Sequence, residues 1–170
     1  MEIRAATPDD LVEVSAIYDH HARSSTTALD DESPGPERWA AKVGDEPRRG
    51  EHLLVVVAED GEVRGYAESS VYRDRSAYEQ TREVAVYLGL DAQQQGFGRR
   101  LYDELLGKLR EDGIHVAVAV IALPNEASER LHRACGFAEA GVLREVGWKF
   151  AAWVDTAYWL LRLGEEAPAP

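Results

Sequence analysis

Cysteine is nearly absent: Cys135 is the single thiol in 170 residues, which excludes an internal disulfide framework. It falls in a helical pattern with Leu131, Ala134 and Phe137 and reads as a buried, inert thiol rather than a nucleophile. Basic charge is also short. With 19 Lys and Arg against 31 Asp and Glu, a net charge of −12, the chain lacks the positive surface that displaces counterions from nucleic acid or acidic membranes. No nucleic-acid and no membrane partner is expected. Long apolar runs are missing as well: the longest, such as residues 116–123, fall far short of the roughly 20 residues a membrane helix needs. The start MEIRAATPDD has no signal-peptide core, so a cytoplasmic protein is expected. His20, His21, His52 and His115 show no metal-ligand spacing with cysteine or clustered carboxylates, and no metal is assigned.

What is present is the composition of a soluble globular protein, 45% apolar and 29% charged, with length enough to bury one core. No internal repeat or interior linker divides it. One domain over residues 1–163 and a disordered tail over 164–170 are expected.

Local patterns predict the order β-α-α-β-β-β-α-β-α-β-β. A strand over 2–5 precedes a helix that Thr7 caps and Pro8 opens, with Leu11, Val14, Ile17 and Tyr18 as its buried stripe. A Ser/Thr loop follows, then a second helix opened by Pro36 with Trp39 and Val43 inward. Strands over 52–58 and 63–72 meet at Asp60-Gly61, the dipeptide of a tight hairpin. A strand over 83–90, a helix over 97–111 ending at Gly113, an apolar central strand over 115–122, a helix over 126–135 stopped by Gly136, and strands over 137–147 and 153–163 complete the chain. The result is an α/β layered fold, a mixed sheet with helices on both faces.

The most informative stretch is TREVAVYLGLDAQQQGFGRRL, beginning at Thr81. Its apolar period switches from two to 3.6 near Gly96, so a glycine-bearing turn opens directly into a helix. The unpaired N–H groups and positive dipole end of that first turn form an anion site. A nucleotide P-loop does not fit, because Arg99 and Arg100 follow Gly98. A dinucleotide fingerprint fails too, since Leu101 stands where its third glycine belongs. What fits is Q-x-x-G-x-G, as Gln93, Gly96 and Gly98. Backbone N–H groups at 94–99 are the candidate phosphate holders, with Arg99 and Arg100 beside them. Backbone donors at Val86, Tyr87 and Leu88, where the chain diverges next to the helix start, are candidates to meet an oxyanion.

This loop, in this order of elements, resembles the pyrophosphate loop for acetyl-coenzyme A in the GNAT superfamily of N-acetyltransferases. The patterns AYEQTREVAVYL, QQQGFGRRLYDELL, VAVIALPNEASERLH and GWKFAAWVDTAYW resemble its phosphinothricin N-acetyltransferase branch. The resemblance implies the GNAT fold, with a mostly antiparallel mixed sheet, acetyl-CoA as co-substrate, a small amino-acid-like amine as acceptor, and a homodimer. It implies a catalytic base at Glu83 and a proton-transfer role at His132. It places Val86, Tyr87, Leu88, Gln93, Gln94, Gln95, Gly96, Phe97, Gly98, Arg99 and Asn125 at the cofactor. Asn125 is also a good helix N-cap in its own right. Arg75, Tyr78 and Lys149 are the substrate-side candidates, Arg75 because a guanidinium grips a carboxylate at two points.

The chain departs from that branch at Phe150, Ala151, Ala152 and Val154, and at Leu29 where relatives carry an aromatic. An altered, more apolar acceptor wall is therefore expected, and methionine sulfone or sulfoximine stands beside phosphinothricin as substrate. Two other functions are weighed: acetylation of a peptide or protein N-terminus, and a non-catalytic acyl-CoA-binding module. Intact Glu83 and His132 argue against the second.

Overall fold

The computed structural model describes residues 1–44 and 48–164; the expected tail beyond Gly164 lies outside them. Seven strands form one sheet in the order β1-β2-β3-β4-β5-β7-β6. They are β1 (Glu2–Ala5), β2 (Leu53–Val57), β3 (Val63–Val71), β4 (Thr81–Leu88), β5 (Val116–Leu123), β6 (Ala138–Lys149) and β7 (Ala152–Arg162). Among the described residues only β4 and β5 run parallel.

Strand β2 shows why both faces are covered. Its sequence LLVVV has no polar side, so alternate residues enter different cores. Leu53 and Val55 pack with Tyr66 against Leu11, Val14 and Tyr18 of α1 (Leu11–Ser24) and Trp39 of α2 (Glu37–Ala40). Leu54 and Val56 pack on the other face with Phe97, Leu101, Leu105 and Leu109 of α3 (Phe97–Glu111). On that same face, α4 (Glu126–Ala134) leans on α3 through Leu131, 3.1 Å from where a Cβ of Gly98 would stand.

The first helix departs from expectation at its start. Residues Pro8–Asp10 form a 3-10 turn and α1 begins only at Leu11. Asp10 explains the tight entry: its carboxylate accepts from the Thr7 N–H at 2.7 Å and from both terminal nitrogens of Arg4 at 2.7 and 2.8 Å. The Arg4 hydrogen bonds lower the Asp10 pKa to about 2, against the opposing effect of burial. The second helix is one turn long, and β4 stops at Leu88, followed by a 3-10 turn at Leu90–Ala92. Gly61, at φ 88°, turns the β2–β3 hairpin as its sequence predicts. Phe150 and Ala151 turn the β6–β7 hairpin with φ of 50° and 57°.

Candidate active site

Strands β4 and β5 pair over three residues only, ending at Glu83 opposite Val118. Beyond that point β4 stays with β3 as far as Leu88, and β5 stays with β7 as far as Leu123. The sheet therefore splits between them. Gly89 donates to Arg64 O of the β3 side at 2.8 Å, and an antiparallel ladder alternates the direction of its amides. The N–H groups of Val86 and Leu88 accordingly face the gap. The Leu88 carbonyl, turned the same way, accepts from His21 Nε2 at 2.9 Å.

At one end of the gap lies the turn into α3. Gly96 has φ 81° and ψ 0°, and Gln94 has φ 60°. The first bond of the helix runs from Arg100 N–H to Gly96 O, leaving the N–H groups of residues 97–99 without helical acceptors. A cavity of about 450 Å³ opens there, lined by Val86, Tyr87, Leu88, Gln93, Gln94, Gly96, Gly98, Arg99 and Asn125. Gln95 and Phe97 do not line it: the Gln95 amide bonds Asp91 O at 2.5 Å, and the Phe97 ring is in the core. The sequence reading missed His21 and Thr27, and Ala127, Ser128, Arg130 and Leu131 of α4, which complete the wall. Asn125 caps α4, its Oδ1 accepting from Ser128 N–H at 3.1 Å.

At the other end Glu83 enters a cleft of about 170 Å³ with Tyr18, Arg38, Glu68 and Ser70. Glu68 is 3% exposed; its carboxylate accepts from Trp39 Nε1 at 3.1 Å and pairs with the Lys42 ammonium. Glu83 stays open to the cleft. The surrounding protein first, and then the Glu68 charge, push its carboxyl above the ordinary range, against the pull of Arg38, Arg73 and Lys42.

A small chamber between the two ends is lined by Ala85, Val86, Tyr102, Asn125, Ser128 and His132, among others. His132 is 3% exposed. Its Nδ1 lies 2.8 Å from Ser128 O, an atom that only accepts, so Nδ1 carries the hydrogen. Burial lowers the His132 pKa, leaving Nε2 unprotonated to accept from the Tyr102 hydroxyl at 2.9 Å.

The substrate-side candidates are not brought to Glu83. Arg75 and Tyr78 line a separate depression of about 110 Å³ with Arg48 and Arg82. Lys149 is 2% exposed and donates to Ala22 O at 2.5 Å and to Ala28 O and Asp30 O at 2.6 Å. It thereby ties the loop carrying Thr27 and Leu29, both of which line the Glu83 cleft, to the last hairpin. Residues 150–154 do not line that cleft. The expected change of its wall there is not found, because Phe150 and Ala151 form the hairpin turn and Phe150 points outward, 58% exposed. Among the described residues no cluster of His, Cys, Asp or Glu is placed to hold a metal ion, and no helix is long and apolar enough to cross a membrane.

The split between β4 and β5 thus opens beside the unpaired N-terminus of α3. Residues 14–137 match the acetyltransferase (GNAT) family. The chain belongs to the GNAT family. Its acetyltransferase relatives include a phosphinothricin N-acetyltransferase of Streptomyces viridochromogenes, 37% identical over 100% of this chain and 91% of the relative. An L-methionine sulfoximine/L-methionine sulfone acetyltransferase of Pseudomonas aeruginosa is 36% identical over 99% and 98%. Among solved GNAT structures, a phosphinothricin acetyltransferase from Sinorhizobium meliloti in complex with AcCoA superposes with a TM-score of 0.91, at 31% identity, covering 99% of this chain and 91% of that one.

Proposed function

We propose that the protein is an acetyl-CoA-dependent N-acetyltransferase acting on the amine of a small amino acid, by direct attack on the thioester. The observation that carries this reading is the continuity of the groove. The helix-end cavity, the His132 chamber and the Glu83 cleft share Thr27 and Tyr87 as common walls across the β4–β5 gap. A donor held at one end and an acceptor at the other meet there.

The α3 turn fits a pyrophosphate: Gly96 has open space on its Cβ side, and the N–H groups of residues 97–99 have no helical acceptor. Bound acetyl-CoA supplies the activated acetyl group. Glu83, with its raised pKa, removes a proton from the acceptor ammonium near neutral pH. The gap-facing N–H groups of Val86 and Leu88 stabilise negative charge on the acetyl oxygen. His132 Nε2 takes the second amine proton by way of the Tyr102 hydroxyl and returns it by the same route to the leaving sulfur. The Glu83 cleft, at about 170 Å³, suits a small amino acid better than a peptide.

We read residues 1–163 as one acetyltransferase domain, working in the cytoplasm as a homodimer. The dimer reading is supported by the β6–β7 hairpin, which exposes Leu143, Val146, Trp148, Phe150 and Trp153 beyond what an isolated surface favours. The functional test is release of free thiol from acetyl-CoA across a panel of amino acids, matched amines and short peptides. Turnover with methionine sulfone, methionine sulfoximine or phosphinothricin is expected; release only with peptides, or with nothing, contradicts the reading.

A further inference from the structure

We propose that Arg38 receives the carboxylate of the acceptor amino acid in the Glu83 cleft, an inference that rests on the amino-acid reading of the acceptor. A free amino acid brings an ammonium and a carboxylate into one small space. The ammonium belongs beside Glu83, its base. The carboxylate then enters a cavity whose walls already carry Glu83 and Glu68, and it is repelled unless a cation faces it.

Among the described residues Arg38 is the one basic side chain lining that cleft. Its donors are only partly used: one terminal nitrogen bonds Asp30 Oδ2 at 3.2 Å, and the other stands 3.7 Å from Glu68 Oε1. A guanidinium has five N–H donors in a planar fork, so a two-point grip on a carboxylate remains open. The fork is also held in place. Its central carbon lies 4.8 Å from the Tyr18 ring centroid and 5.3 Å from that of Trp39, and the side chain is 37% exposed, reachable from the cleft.

The competing cations are otherwise engaged. Lys42 is 8% exposed and bonded to Glu68 and Ser70. The Lys149 ammonium is occupied by three carbonyls. Arg73, whose charge reaches Glu83, lies over the Tyr72 ring at 5.2 Å and with Arg75 lines the separate Arg48–Arg82 depression rather than the cleft.

The test compares L-methionine sulfone with the amine that has the same side chain but no carboxylate, in the full chain with saturating acetyl-CoA. Wild type is expected to favour the amino acid in kcat/KM by about tenfold or more, the worth of one charge-assisted contact. Arg38→Met is expected to bring that ratio close to one, chiefly by raising the amino-acid KM, while Arg75→Ala keeps it. Arg38→Lys preserves a cation over Tyr18 but loses the fork, and an intermediate ratio is expected; it serves as the test if Arg38→Met does not fold. An unchanged ratio in a folded Arg38 variant, or its loss in Arg75→Ala, overturns the assignment. If wild type acetylates peptides but neither small compound, the amino-acid reading itself has failed and this assignment falls with it.

Discussion

Glu68 and Glu83 sit one diagonal step apart on the β3–β4 ladder, Glu68 opposite Ala85 and Glu83 opposite Ser70. Their fates differ. Glu68 is buried, paired with the Lys42 ammonium and hydrogen-bonded by the Trp39 indole, whereas Glu83 has no ion-pair partner among the described residues. One carboxylate is thus engaged in an ion pair while its open neighbour has its pKa raised, first by the surrounding protein and then by Glu68.

That pairing predicts a pH effect. A base must be unprotonated to work, so activity falls as pH drops through the Glu83 pKa, which lies above the ordinary carboxylate range. Glu68→Gln removes a negative neighbour and frees the positive charge of Lys42. Both changes lower the Glu83 pKa, so the acidic limb of the kcat/KM profile should move to lower pH. A limb that stays put or moves upward means that Glu68 does not tune the base.

Gly96 tests the donor end. A Cβ there meets nothing within 4 Å, so the core tolerates it, although φ 81° penalises any L side chain. Gly96→Val is expected to weaken acetyl-CoA binding by about tenfold or more in a calorimetric titration, because the side chain stands between phosphate and backbone N–H groups. Unchanged affinity in the folded variant rules the turn out as the phosphate site.

The β6–β7 turn offers a stability test free of the site. Phe150 and Ala151 both take left-handed φ, at a cost of roughly 1–2 kcal/mol for a non-glycine residue. Ala151→Gly should therefore stabilise the protein by about 1 kcal/mol and raise Tm by roughly 2–4 °C. A lower Tm on thermal melting contradicts this.

The sequence carried those features that neighbouring residues encode. The change of period at Gly96, the hairpin at Asp60-Gly61 and the apolar run of β5 are local, and each stands where it was expected. Glu68 left one readable trace, an acidic residue on the same strand face as Tyr66 and Ser70. Arg38, Lys42 and Glu68 nonetheless meet only because α2 folds back on β3, 26 to 30 residues away in chain order, which no local pattern reports. Lys149 shows the limit of matching letters: its charge was visible, but the carbonyls that occupy it come from positions more than a hundred residues earlier. The short α2 has the same origin, since Trp39 anchors one turn by burial rather than by extended helical patterning.

The claim that Glu83 is the base bears the most weight, and Glu83→Gln measures it most directly. With the acceptor saturating at pH 7, kcat should fall by about 10² to 10⁴, the worth of a positioned general base, while the calorimetric Kd for acetyl-CoA stays as in wild type. Near-normal kcat in the folded variant, with that affinity intact, would contradict the account and move the proton transfer to another group.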